Sequence, residues 1–283
     1  MKRFAACCLV LALLVGLLPT AVLAAENPGV KILTVAVENN AVNVTGTVTE
    51  NSGGIYVASY NQDGRQLTVR QASVSGTGWT ASLPSADVTR VRAFLLGQNM
   101  APVAGQKDID VVTESMTVPS GRYGAILITS EVGNGTVILD GVSADNLIVQ
   151  GGGSHSIELT NGTQITNAEL DKASGSDSET PRLVMDATSG VQTVAVSGSA
   201  GAIIESSASG YVQKITTEDN AGTAEVKNLT VDQVAAASDV TLTNAAVGTL
   251  DTTGSESVAV TLDNTAVSAM TAAAPTTIRG SGS

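Results

Sequence analysis

The sequence predicts an all-β chain: a small β-sandwich followed by a parallel β-helix of about eight turns, each near 20 residues. Three observations predict it. The C-terminal two thirds repeats itself at intervals near 20 residues, which one supersecondary unit per coil explains. The preceding segment alternates apolar and polar residues in short runs separated by turn signals about ten residues apart. Aromatics are 2% and charged residues 14% of 283 residues. Ala, Val, Thr, Ser and Gly dominate, which suits narrow stacked β-structure better than a wide globular core.

The first element in chain order is a leader. Met1-Lys2-Arg3 is basic, Phe4 to Leu18 is apolar, Pro19 breaks the run, and Val22-Leu23-Ala24 offers small residues. This is the layout of a secretory signal peptide over 1–24, cleaved after Ala24. The apolar run is short for a spanning helix, so no stable membrane span is expected after cleavage. Cys7 and Cys8 leave with the leader, and the mature chain carries no thiol. Disulfides and cysteine-based metal sites are thereby excluded. The formal charge is −12, and losing Lys2 and Arg3 takes it to about −14. Nucleic acid and anionic lipid, which need basic patches, are excluded as partners.

The second element, 25–112, holds the β-sandwich. Strands are expected at Lys31–Val37, Ala41–Val48, Gly54–Tyr60, Gln66–Gln71, Trp79–Leu83 and Val88–Leu96. Turn signals separate them at Asn39-Asn40, Ser52-Gly53-Gly54, Asp63-Gly64, Gly76-Thr77-Gly78 and Pro84-Ser85. The runs Tyr56–Leu67, Val91–Leu96 and Met100-Ala101-Pro102-Val103 are similar to an immunoglobulin-like module of secreted Gram-positive surface proteins. That module reads A-x-Y-x-x-x-G-x-L, then V-[KR]-x-F-x-W and a final proline. Leu96 stands where an aromatic is common. The resemblance implies an Ig-like spacer or accessory domain without a catalytic role.

The third element, 113–283, is the repeat. Val240-Thr241-Leu242-Thr243-Asn244 recurs as Val260-Thr261-Leu262-Asp263-Asn264. The same frame fits starts at 137, 157, 182, 202, 224, 240 and 260, in steps of 20, 25, 20, 22, 16 and 20. A degenerate turn near Thr117–Ile128 makes eight. Because i and i+2 share a face of a strand, the frame predicts one inward stack of Leu139, Leu159, Val184, Ile204, Val226, Leu242 and Leu262. A second is Val137, Ile157, Ala202, Ala224, Val240 and Val260. Leu147, Val212, Val231, Val247 and Val267 mark another wall. A polar corner follows the first strand at Gly141, Asn161, Asp186, Ser206, Asn228, Asn244 and Asn264. Asn, Asp and Gly tolerate left-handed turns, and stacked amides bond along a column. The 25-residue step extrudes a polar loop at 173–180. Thr276-Thr277-Ile278-Arg279-Gly280 reads as the opening of a further turn, so the chain is expected to be truncated at its C-terminus.

Candidate chemistry is sparse. Polysaccharide-cleaving β-helices gather carboxylates and bases on one outer wall. Here Arg122, Lys172, Arg182, Lys214, Lys227 and Arg279 fall on different turns. His155 is the only histidine and lies in a glycine-rich corner without an evident orienting partner. Asp140 with Asp145, and Asp108 with Asp110, read as turn carboxylates rather than catalytic pairs. Glu218-Asp219-Asn220 lacks the pattern of a calcium loop. Trp79 is placed as a core residue. The Asn-X-Thr triplets at Asn43, Asn134, Asn161 and Asn228 read as turn and strand composition. No catalytic residue, cofactor or metal is assigned. The expectation is a secreted or cell-wall-associated scaffold or adhesion-type protein; the alternative is a carbohydrate-binding or polysaccharide-degrading β-helix. The partners expected are a cell-wall or extracellular glycan, or another surface protein.

Overall fold

The structure, a computed structural model, describes residues 30–48, 53–97, 99–101, 107–154, 157–175 and 179–282. The leader expected over 1–24, His155 and the centre of the 173–180 loop lie outside them. Apart from one 3-10 turn at Ser130–Val132, the regular structure described is all β. No helix among the described residues is long and apolar enough to cross a membrane.

The N-terminal part contains β1 (Val30–Glu38), β2 (Ala41–Val48), β3 (Gly54–Tyr60), β4 (Gln66–Gln71), β5 (Ser73–Ser75), β6 (Gly78–Pro84), β7 (Arg90–Leu96) and β8 (Lys107–Val112). Six of these match the runs expected from the sequence closely. Asn39 and Asn40 both take positive φ, 51° and 61°, which closes the β1–β2 hairpin in the manner such turns require. Strands β1-β2-β6-β5 form one sheet, and β4-β3-β7-β8 pair in order in a second. Alternation in β2 sends Val42, Val44 and Val48 inward. They meet Ile55, Val57, Trp79, Leu83, Val91 and Leu95 in one core.

Strand β8 belongs to two ladders. It runs antiparallel to β7, with Asp110 opposite Arg90. Its other edge runs parallel to β10 (Gly121–Ile128), with Asp110 opposite Ile126. The second sheet therefore continues without a break into the repeat region. Leu127 and Ala125 of β10 close the N-terminal core from the outer face of the repeat.

From β8 onward the chain is a β-solenoid of about eight turns. Its strands are β9 (Met116–Val118), β10, β11 (Val137–Asp140), β12 (Val142–Val149), β13 (Ile157–Thr160), β14 (Gln164–Leu170), β15 (Arg182–Met185), β16 (Gly190–Val196), β17 (Ala202–Thr217), β18 (Ala224–Ala236), β19 (Val240–Thr243), β20 (Ala246–Thr252), β21 (Val258–Ala272) and β22 (Thr276–Gly282). All pair in parallel. Two walls result. The first stacks β8, β10, β12, β14 and β16, then the second half of β17, and continues to the second half of β21. The second stacks β9, β11, β13 and β15, then the first half of β17, and ends at β22. Strands β17, β18 and β21 round the corner and serve both walls. A third side of irregular backbone closes each coil.

Aliphatic columns fill the interior. On the first wall Ile126, Leu147, Ala168, Val194, Ile215, Val234 and Leu250 stand one above the next. All are at most 2% exposed. Val212, Val231, Val247 and Val267 form a neighbouring column, so the residues expected to mark another wall do lie on one, with Leu147 in the next file. Burying each larger side chain contributes about 1.5–3 kcal/mol.

The second wall corrects the expected stacks. Val184 faces outward, and Leu183 and Met185 point inward, stacked under Ile157 and Leu159. The frame start of 182 is one residue early. The columns also splice. Val137, Ile157, Leu183, Ile204, Val226, Leu242 and Leu262 form one continuous file. Leu139 and Leu159 continue instead to Met185 and the buried Ser206. Ala202, Ala224, Val240 and Val260 form a third file that begins only below the 25-residue coil. The corner thus retreats by two residues between the upper and lower coils. Two residues are one pleat, so the slide keeps every inward residue inward, whereas a one-residue slip would have turned the strand inside out.

The polar corner is built as expected at Gly141 and the four asparagines, but Ser206 instead lies buried in the interior file under Met185, and Asp186 stands one residue before the corner position. Asn161, Asn228, Asn244 and Asn264 take φ between 47° and 56°. Asn244 Nδ2 donates to Asn228 Oδ1 at 3.4 Å, and Asn264 Nδ2 to Asn244 Oδ1 at 2.8 Å. Inside the corner, Thr163 Oγ1 donates to the Leu139 carbonyl at 2.7 Å and Thr265 Oγ1 to the Leu242 carbonyl at 2.9 Å. These buried hydroxyls satisfy carbonyls that the bend takes out of the ladder.

Candidate functional site

The densest group of charged side chains sits where β3, β7, β8 and β10 meet. Strand alternation places Tyr60, Arg90, Arg92, Asp108 and Asp110 on the face of the second sheet opposite its core. Arg90 Nε meets Asp110 Oδ1 at 2.7 Å, and Arg92 meets Asp108 at 3.1 Å. The Arg92 guanidinium lies 5.1 Å from the centre of the Tyr60 ring. Burial pushes the Asp108 carboxyl up, against the pull of Arg92. Burial also pushes up the Tyr60 phenol. Burial works against the Arg90 charge, but the hydrogen bond and charge of Asp110 outweigh it and hold the guanidinium protonated. Tyr60 Oη, Arg92 Nε, Asp108 Oδ1 and Ser59 Oγ are buried without hydrogen-bond partners.

Chemically this cluster is a pair of ion pairs, with each carboxylate beside its own guanidinium. A catalytic dyad needs two carboxylates with diverging protonation facing one open substrate path. Asp108 and Asp110 lie two residues apart on one strand and are each neutralised across the β7–β8 ladder. The arrangement fixes β8 to β7 on the strand that also starts the solenoid.

The other candidates read from the sequence do not converge. Asp140 accepts from Asn161 Nδ2 at 2.5 Å, while Asp145 faces Arg122 at 3.8 Å on the first wall. Asp219 accepts from the Ser255 amide at 3.1 Å, beside Asn220 at φ 66°. No group of three or more His, Cys, Asp or Glu suited to a metal occurs among the described residues. Trp79 is buried in the N-terminal core and donates through Nε1 to the Thr47 carbonyl at 3.1 Å. Arg182 pairs with Glu205 and Lys227 with Glu225, both on the second wall but on different coils. Lys214 lies on the first wall.

Two features escape a reading of the sequence. Tyr211 is 52% exposed on the first wall, and its hydroxyl donates to Asp232 of the next coil. Below it in the same file stand Thr230, Ala246 and Ala266, which leave a shallow shelf. Alternation with the inward Val212 turns Tyr211 outward; what the sequence does not show is the Asp232 of the next coil that its hydroxyl meets. The second feature is Lys172, which is only 8% exposed on the irregular third side.

The fold defines the chain as a β-solenoid protein with an N-terminal two-sheet unit. No family model, curated protein or solved structure matches it.

Proposed function

We propose that this chain is an exported surface scaffold without catalytic activity: an immunoglobulin-like module, of the kind found in secreted Gram-positive surface proteins, carried on a β-helical shaft. The observation that carries the reading is the double pairing of β8. One strand is both the last of the N-terminal unit and the first of the solenoid, so the two are held in fixed relation, which suits a rod that displays rather than a lid that closes. The strand orders β1-β2-β6-β5 and β4-β3-β7-β8 support the immunoglobulin-like part, since they correspond to the A-B-E-D and C′-C-F-G sheets of that fold. The outer face of the first wall supports the passive role. It carries Asn146, Asn167, Thr193, Lys214 and Gln233 in register, with Asn167 and Thr193 bonded along the file at 2.7 Å. Cationic groups are dispersed over separate coils.

A second reading, binding of an extracellular or wall glycan, is favoured by Tyr211 with its hydrogen-bonded Asp232. An aromatic face beside a carboxylate and amides suits a sugar ring. The test is a screen of the exported protein against wall components and soluble polysaccharides, with turnover and binding measured together. A scaffold gives no turnover, and intact mass places the N-terminus at Ala25. Depolymerisation of any polysaccharide sinks the scaffold reading. Binding abolished by Tyr211→Ala would favour the second.

A further inference from the structure

One file of side chains changes character at β8. The first-wall file that runs from Leu250 to Ile126 is aliphatic and buried throughout. Its next member is Asp110, in register with Ile126 and therefore on the interior side of the sheet. Arg90 stands opposite Asp110 and Tyr60 opposite Arg90, so both continue the same file. Arg92 and Asp108 lie beside them on the same face. The neighbouring file changes too. Above Val191, Ile165 and Ala144 comes Tyr123, whose hydroxyl donates to the Pro119 carbonyl at 2.8 Å. This is where the two walls part. The second wall begins at β9, level with β10, while the sheet of the first wall runs on through β8, β7 and β3. Among the described residues no second-wall strand lies level with those three. The interior side of the sheet therefore emerges at the mouth of the solenoid, and all four charged side chains there are partly exposed.

We propose that Arg90, Arg92, Asp108 and Asp110 are the polar cap of this mouth: they end the aliphatic interior where the second wall stops, and so keep a second copy of the chain from joining there. The interior of a solenoid is a set of apolar files that another apolar rung can extend, so an end that faces water needs a layer that refuses extension. Aliphatic residues at 90 and 110 would carry the file out through the mouth. The resulting apolar strip could meet the same strip of another molecule about a two-fold axis. With the ion pairs in place, a second copy covers the mouth only by desolvating guanidinium and carboxylate groups. Stability alone gives no reason for charge at these positions. Burial pushes the Asp108 and Asp110 carboxyls up, and Tyr60 Oη, Arg92 Nε and Asp108 Oδ1 have no hydrogen-bond partner. Apolar side chains of similar volume avoid that desolvation cost. What they lack is the power to exclude a wrong contact. This inference is independent of the functional reading above.

The experiment is sedimentation velocity on the full chain over a concentration series, with urea unfolding of the same samples. Arg90→Leu/Asp110→Val carries the aliphatic file through the mouth, and Arg92→Leu/Asp108→Val does the same beside it. Arg90→Gln/Asp110→Asn keeps the layer polar. The expected result is that each apolar pair folds and self-associates reversibly, about tenfold or more tightly than wild type. The Gln/Asn pair should sediment as wild type does. Apolar pairs that sediment like wild type, with only the unfolding midpoint changed, overturn the proposal, because the ion pairs would then be a brace and not a cap. Association of the Gln/Asn pair to the same extent as the apolar ones also overturns it, since polarity at the mouth would not be what prevents contact. Loss of fold in one apolar variant leaves the other to decide. Loss of fold in both contradicts the cap, since the charges would then hold the fold rather than close its end.

Discussion

Asp110 stands opposite Arg90 in the β7–β8 ladder, joined to it at 2.7 Å, while its own backbone pairs in parallel with β10. One ion pair thus braces the strand shared by the N-terminal sheet and the solenoid. The Asp110 side chain is 17% exposed and that of Arg90 is 34% exposed, so the pair is partly shielded from water. Removing one partner leaves the other charge in a desolvated place, and that costs more than the pair contributes. Asp110→Ala is expected to destabilise the chain by about 1–3 kcal/mol in denaturant unfolding. The Arg90→Ala/Asp110→Ala double variant should cost less than the sum of the two single changes.

The corrected register makes a sharper forecast. Leu159 and Met185 are stacked and fully buried, while Val184, next to Met185 on β15 and opposite Glu158, faces out. Leu159→Ala and Met185→Ala should each cost about 2–5 kcal/mol. Val184→Thr should stay within about 0.5 kcal/mol of wild type. Equal losses at Val184 and Met185 would contradict the strand orientation.

The asparagine corner is expected to reward conformational freedom. Asn244 holds φ at 50° and links Asn228 to Asn264. Asn244→Ala loses both amide bonds and incurs about 1–2 kcal/mol for left-handed backbone. Asn244→Gly loses the bonds but not the backbone tolerance, so its melting temperature should fall between alanine and wild type.

Asp186 gives a pH dependence. Desolvation is the largest single influence and opposes its ionisation, but the hydrogen bonds from Thr188, Ser189 and Asn161 together outweigh it and hold the carboxyl well below the usual range. A depressed carboxylate stabilises the fold above its unfolded pKa of about 4 and loses that contribution as pH falls further. Asp186→Asn should therefore be less stable than wild type near neutrality. The gap should narrow below about pH 4. A gap unchanged down to about pH 2 would contradict the hydrogen-bonded carboxylate.

Much of the solenoid is legible because its columns are written as alternation. Val240-Thr241-Leu242 and Val260-Thr261-Leu262 sit in register as their repetition implies. The asparagine corner is legible because few residues accept its backbone. The frame fails at 182, where it matches Asp186 to the corner asparagines. Asp186 instead caps the corner through its carboxylate and stands one residue out of line. The two-residue slide after it leaves no trace in an alternating pattern, since alternation is blind to whole pleats. The double role of β8 is also hidden. Ile109 and Val111 alternate alike whether a strand ends a sandwich or starts a coil. The burial of Lys172 depends on irregular backbone, for which sequence period offers no guide.

The stacking of coils in register is tested most directly by paired cysteines in the chain from residue 25, which has none of its own. Glu158 and Val184 stand opposite one another on the outer face of the second wall. Neighbouring parallel strands lie about 4.8 Å apart, a separation a disulfide spans. Glu158→Cys with Val184→Cys should oxidise to an intramolecular disulfide in the folded protein. Glu158→Cys with Leu183→Cys should not, because those side chains leave opposite faces. Closure of the second pair in preference to the first would contradict the register, and with it the stacked coils on which the rod rests.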